Sequence, residues 1–143
     1  AQLMRTHLKD FVAGALQPRS QDAAQATHAR KITKEDGWID WAQSAQQIDC
    51  QVRALDPWPG CHADWVGSGG HSERFKILQV RVMAEQGDPP GSLLASAAGP
   101  LVVACGEGAV EILRLQRQGG RVMEASTFLA GHPMAPGSTF KAH

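Results

Sequence analysis

The chain has 143 residues, 43% of them apolar and 20% charged, enough for one domain with its own core, or a domain and an appendage. Fourteen basic residues balance fourteen acidic ones, which excludes wholesale coating of nucleic acid but leaves room for a local basic patch. No run approaches the ~18 apolar residues of a membrane span, and the first residues lack the basic-then-apolar pattern of a signal peptide. Ala1 stands where an initiator Met would, so a processed or excised chain is expected.

Leu3, Met4, Leu8, Phe11, Val12, Ala15 and Leu16 recur at helical spacing, and Pro18 is expected to end that helix. A helix this short is marginal alone in water, so its apolar stripe calls for a partner. Residues 17–27 are polar, without a periodic apolar face, and read as linker. A second helix is predicted over 44–55. Ser44 caps it with Gln47 as its capping-box partner, and Ala45, Ile48, Val52 and Leu55 form the buried stripe. Asp56-Pro57-Trp58-Pro59-Gly60 stops it with a rigid turn, since each proline fixes φ and removes a donor.

The pattern then turns to strands, at 61–66, 74–83, 91–96, 101–105 and 108–117, with a short one near 138–141. Gly67-Ser68-Gly69-Gly70, Asp88-Pro89-Pro90-Gly91, Ala98-Gly99-Pro100 and Gly106-Glu107-Gly108 are the joints. Phe75 and Ile77 share one phase, while Leu78, Val80 and Val82 continue in the other. Such a slip marks a bulge or strong bend, and bent strands in a set of about five suit a small closed barrel. A short helix is predicted near 124–130, with Phe128 and Leu129 facing in and Gly131 as its stop. Pattern alone leaves an OB-type barrel, an SH3-like barrel and a sandwich open.

Chemistry-bearing motifs are weak. Cys50, Cys61 and Cys105 are odd in number and lack a C-x-x-C pair, so they suit a reducing compartment and not a disulfide framework. With His62 and His71 they match no common zinc spacing, so no metal is expected. Cys50 and Cys105 are expected to fill apolar space. Ser92 follows a Pro-Gly turn without G-x-S-x-G. Gly106-Glu107-Gly108 precedes a strand, so it reads as a hairpin turn with positive φ and not as a phosphate cradle. Asp36, Asp40, Asp49 and Asp56 suit caps and turns, and none of the six histidines pairs with another at helical spacing. No nucleophile–base–orienter set emerges, so no catalytic residue is assigned. The pattern is that of a binding or positioning domain.

One long stretch is more specific. Residues 26–41 read Ala-Thr-His-Ala-Arg-Lys-Ile-Thr-Lys-Glu-Asp-Gly-Trp-Ile-Asp-Trp, and after the second helix comes Arg53-Ala54-Leu55-Asp56-Pro57-Trp58-Pro59-Gly60. Downstream stand Lys76-Ile77-Leu78, Pro90-Gly91-Ser92-Leu93-Leu94, Leu101-Val102-Val103-Ala104-Cys105-Gly106-Glu107-Gly108, Leu115-Gln116 through Met123, Phe128-Leu129-Ala130-Gly131 and Pro136-Gly137-Ser138-Thr139-Phe140. In order and spacing these resemble the linker and C-terminal domain of the methionyl-tRNA formyltransferase family, across nearly the whole chain.

The resemblance implies a mainly β fold with helical additions: an OB-type five-stranded Greek-key barrel with an N-terminal helix and linker. It implies that residues 1–17 are a helix from the end of a catalytic domain absent here, 18–37 a linker, and 38–143 a tRNA-binding barrel. The parent enzymes of that family transfer a formyl group from 10-formyltetrahydrofolate to the α-amine of initiator methionyl-tRNA. Their Asn-His-Asp set and Ser-Leu-Leu-Pro loop belong to a Rossmann-like N-terminal domain. Ser92-Leu93-Leu94 is followed by Ala95 and is not that loop. The chain is thus expected to be inactive alone, to need no cofactor of its own, and to work in the bacterial cytoplasm as a monomer. Its implied partners are initiator methionyl-tRNA and the Rossmann-like domain of the same polypeptide, with no membrane.

Three basic groups are the candidate tRNA contacts: Arg30, Lys31 and Lys34; Arg74, Lys76 and Arg81; and Arg114, Arg117 and Arg121. Such contacts hold phosphates and position the RNA without reading its sequence. Trp41 and Trp58 flank the second helix and are expected to pin it to the barrel. Trp65 is expected to be half-buried, and Trp38 is left open between anchor and base-stacking platform. The alternative is a scaffold barrel without a nucleic-acid role, as in formyltransferases acting on sugar nucleotides or folate. There the basic groups would be scattered or paired.

Overall fold

The computed structural model describes residues 2–67, 69–84, 88–94, 99–135 and 138–141. Several predicted features touch residues outside that set: Ser68 and Ala98 in joints, residues 95 and 96 of the third strand, Pro136 and Gly137 before the last strand, and the terminal His143. The chain divides into two units, Ala1–Lys31 and Ile32–His143.

In the first unit, helix α1 runs Gln2–Val12, shorter than the predicted span. Gly14 adopts φ +68°, and the Ala13 and Gly14 amides bond back to Lys9 and Phe11. A left-handed glycine ends a helix by turning the chain away, so it stops before Pro18 is reached. Leu3, Met4, Phe11 and Val12 are exposed. Farther on, Asp22 caps a 3-10 turn at Ala23–Gln25 by accepting from the Ala24 amide.

The second unit begins with a 3-10 turn at Glu35–Gly37. Helix α2, Ala45–Ala54, follows with both halves of the predicted capping box at Ser44 and Gln47. Ala45, Ile48, Val52 and Leu55 are buried along its inner face. Each of the larger three contributes about 1.5–3 kcal/mol by leaving water.

Among the described residues seven strands form one antiparallel sheet: β1 Cys61–Val66, β2 Ser72–Met83, β3 Leu93–Leu94, β4 Leu101–Ala104, β5 Ala109–Arg117, β6 Val122–Glu124 and β7 Thr139–Phe140. The order is β3-β4-β5-β2-β1-β7, with β6 alongside β5. The two ends of that order meet: Ser92 bridges Thr139, Leu93 N–H donates to the Ser138 carbonyl at 3.1 Å, and Phe140 N–H to Gly91 at 2.8 Å. The sheet thereby curls into a nearly closed barrel with helical additions, the architecture expected. Strand β6 was not predicted; three residues without a buried side chain carry no alternation to detect.

The β2–β5 register shifts between Ile77 and Val80. That is the bulge the phase slip predicted, and it lets Phe75, Ile77 and Val80 all face inward. Leu78, expected to continue the inward phase, is only half-buried; it occupies the irregularity itself. The core also takes Leu101, Val103, Val110, Ile112, Leu115 and Phe140. Helix α3, Ala125–Gly131, adds Phe128 against Phe75 in an edge-to-face pair at 5.3 Å. Leu129 is partly buried against the same core.

The Gly106–Gly108 turn behaves as predicted at Gly108, with φ +73°. Gly106 matters for a different reason. A Cβ there would collide with the Ala42 carbonyl, and its N–H is shared by the Trp41 and Gln43 carbonyls at 2.9 Å.

Candidate nucleic-acid interface

Strands alternate their side chains, and antiparallel partners share a face. His62 pairs with Lys76, and Asp64 with Arg74. Opposite them in phase, Cys61, Ala63, Phe75 and Ile77 are buried, so His62, Asp64, Arg74 and Lys76 form the outward face of the β1–β2 hairpin. Trp38 lies across this face. It bridges His62 in a parallel pair, its ring meets the His62 ring edge-on at 6.0 Å, and the Arg74 guanidinium sits 4.5 Å from its centroid. The 3-10 turn ahead of Trp38 is held by Gln51 of α2, whose side-chain N–H₂ donates to the Asp36 and Trp38 carbonyls at 2.9 Å. Lys34 begins that turn and is exposed.

The Pro57–Gly60 turn closes the other side. Gly60 N–H donates to the Leu55 carbonyl at 2.9 Å. Lys76 crosses over Gly60, so a Cβ there would collide with its aliphatic chain, and its ammonium donates to the Pro57 carbonyl at 3.3 Å.

The nine predicted basic residues separate into distinct settings. Arg30 and Lys31 are exposed in the first unit. Arg74 and Lys76 belong to the face just described, and Lys34 begins the 3-10 turn that leads to Trp38. Arg117 comes to the same end of the barrel from β5: a cleft is lined by His71, Arg74, Arg117 and Gly119, and Arg121 follows that turn, exposed. Arg81 lies seven residues along β2 from Arg74, about 23 Å at the usual strand rise. Arg114 lies between them, opposite Gln79.

Carboxylates engage Arg74, Arg81, Arg114 and Arg117. Asp64 receives both Nε and Nη2 of Arg74, at 2.7 and 3.0 Å. Glu73 pairs with Arg117, Glu124 with Arg114 at 3.5 Å, and Glu111 with Arg81. Glu111 is buried, so Arg81 supplies the charge that makes its burial tolerable. Charges well apart in sequence thus meet their counter-ions in space, which sequence order could not show.

Electrostatics sharpen the picture. The bidentate bond from Asp64 raises the Arg74 pKa further above an already high value. Burial pulls His62 below the ordinary imidazole value, opposed by a hydrogen bond with the Pro59 backbone and reinforced by Lys76 and Arg74. The neutral form of His62 is thereby favored. Burial pushes the Cys61 thiol to about 12 and the Cys105 thiol to about 11, so both are protonated space-fillers. Cys50, expected to be buried, is exposed on α2, on the side away from Ile48 and Val52.

The tryptophans depart from expectation at one position. Trp41 is fully buried against Phe140 at 5.3 Å, the anchor expected. Trp65 is half-buried. Trp58, expected to be a second anchor, is 57% exposed. The prolines on either side direct the chain around a tight turn at the surface, and Leu55 takes the buried position at the helix end instead.

No helix among the described residues is long and apolar enough to cross a membrane. Residues 31–133 match the family model described as "Formyl transferase, C-terminal domain". Similar relatives are a methionyl-tRNA formyltransferase of Parvibaculum lavamentivorans, 39% identical over 97% of this chain and 44% of its own length, and one of Cereibacter sphaeroides, 44% identical over 90% of this chain and 38% of its own. The chain thus spans less than half the length of these relatives. Among solved structures, a HypX variant from Aquifex aeolicus superposes with a TM-score of 0.59 at 18% identity, covering 94% of this chain and 24% of that one. That is a likeness of fold. From the match over 31–133, the chain belongs to the formyl transferase C-terminal domain family.

Proposed function

We propose that this chain is the tRNA-holding C-terminal portion of a methionyl-tRNA formyltransferase, built as an OB-type barrel. In this reading residues 1–17 carry the helix that leaves the catalytic domain, 18–37 the linker, and 38–143 the RNA-holding barrel. The parent enzyme transfers the formyl group of 10-formyltetrahydrofolate to the α-amine of initiator methionyl-tRNA, in the bacterial cytoplasm and as a monomer. The residues described here do none of that chemistry. They position the RNA so that its aminoacylated end reaches the missing domain.

The observation that carries the reading is the placing of Arg74 and Lys76 on one face of the β1–β2 hairpin, with Arg117 lining the cleft beside Arg74, in a chain whose relatives bear that enzyme's name. Net neutrality does not oppose it, because a phosphate backbone responds to local potential. Arg74 and Lys76 share the outward face of the β1–β2 hairpin, with Arg74 divided between Asp64 and the RNA; Arg117, paired opposite Phe75, reaches the cleft beside Arg74 from β5, and Lys34 and Arg121 are proposed as further contacts. Arg30 and Lys31, in the first unit, are proposed as contacts in their own right. Arg81 and Arg114 complete the original set of nine but lie farther along the sheet.

The four carboxylate-paired arginines favor the other reading, a scaffold barrel with no nucleic-acid role. A salt series separates the two. Anisotropy of labeled tRNA with this chain should show affinity falling steeply with salt, and Lys34→Ala/Lys76→Ala/Arg121→Ala should flatten the slope by about 2–3. No binding at low salt would establish the scaffold.

A further inference from the structure

We infer that the Trp58 indole is a stacking platform for an unpaired nucleotide of the bound RNA, with Lys76 engaging the adjoining phosphate. This rests on the tRNA-binding reading above and adds to it the residue that grips a base.

Trp41 is buried, Trp38 and Trp65 are half-buried, and only Trp58 presents most of its surface to water, at 57%. The backbone that carries the ring is restrained. Pro57 and Pro59 each lock φ, and the Gly60 to Leu55 hydrogen bond ties the turn to the end of α2. A large apolar ring on a restrained turn loses little entropy when a base stacks on it.

The cation is positioned as well. Lys76 reaches from β2 across Gly60, and its ammonium bonds the carbonyl of Pro57, the residue just before the ring. An ammonium has three donors, so one bond to a carbonyl leaves capacity for a phosphate oxygen. Trp38 is a poorer platform, since the Arg74 guanidinium already covers its ring.

An exposed ring on a turn whose backbone holds a lysine ammonium matches a nucleotide, which offers a flat base and an anionic phosphate. A protein partner would favor a contiguous apolar patch, whereas the side chain crossing this turn is that of Lys76. The base must be unpaired, because a paired base keeps both faces inside its own stack.

The test uses the 143-residue chain, fluorescently labeled tRNA, and the variants Trp58→Leu, Trp58→Phe and Lys76→Gln. Trp58→Leu should weaken binding about 5- to 100-fold with an unchanged salt slope. Trp58→Phe should recover most of the affinity. Lys76→Gln should lower the slope by about 1. Tryptophan emission should be quenched by tRNA in the parent chain and less so in Trp58→Phe. Wild-type-like binding by Trp58→Leu overturns this inference and leaves the RNA reading standing. Failure of the unaltered chain to bind overturns both. A melting temperature lowered by several degrees, with equal affinity loss in Leu and Phe, makes Trp58 a structural anchor and overturns the platform.

Discussion

Arg74 lies across the Trp38 indole, 4.5 Å from the ring centroid, while Asp64 holds the same guanidinium from the side at 2.7 Å. One cation therefore joins β2, β1 and the segment entering the barrel. In the proposed RNA-holding role, Arg74 would meet a phosphate only in competition with Asp64. Asp64→Asn should tighten tRNA binding several-fold and steepen its salt dependence, at a stability loss of about 1 kcal/mol or less. Parallel anisotropy and thermal melts would check both halves. Unchanged affinity would place Arg74 outside the RNA face.

Trp41 and Trp58 make an internal control for each other. Trp41→Ala removes a fully buried ring packed on Phe140 and should cost about 3–5 kcal/mol. Trp58→Ala removes a largely exposed ring and should cost about 0.5 kcal/mol or less. Urea denaturation of both variants would show a large midpoint drop for the first alone.

Gly106 and Gly131 should respond to alanine with opposite signs. At Gly106 the new methyl meets the Ala42 carbonyl, and relief would sacrifice the hydrogen bonds to Trp41 and Gln43. A loss of several kcal/mol is expected. Gly131 ends α3 with open space where the methyl would go, so Gly131→Ala should stabilize by up to about 1 kcal/mol. Melting temperatures should move down for one and up for the other.

His62 should impose a pH dependence. Its folded pKa lies below the ordinary imidazole value of 6.5, chiefly from burial. Between the folded and unfolded values the unfolded chain binds more protons, so stability rises with pH through that window. The His62 contribution is complete above 6.5 and is lost as pH falls from there through the folded pKa. Thermal melts from pH 7.5 down to 5 should show this decline, and His62→Gln should reduce it. An identical decline in the variant would assign it to other groups.

Much of the fold was legible in order along the chain. The capping box at Ser44, the α2 stripe and the bulge in β2 each depend on residues a few positions apart, where side-chain period and backbone geometry are directly coupled. The misses have physical causes of the same kind. Helix α1 ends at a left-handed glycine that competes with a later proline, and Cys50 is exposed because a helix turns each successive residue by about 100° away from its stripe.

The family resemblance, the strand-forming segments and the inventory of basic residues were properties of the sequence by itself, because they depend on residue identity and short spacing. Closure of the barrel, the pairing of Arg74, Arg81, Arg114 and Arg117 with acidic partners, and the exposure of Trp58 were decided only by the tertiary structure. Asp64 and Arg74 stand ten residues apart, and Arg81 and Glu111 thirty. Strand register brings each pair within hydrogen-bond reach, and a Coulomb interaction depends on that distance through space and not on the distance along the chain.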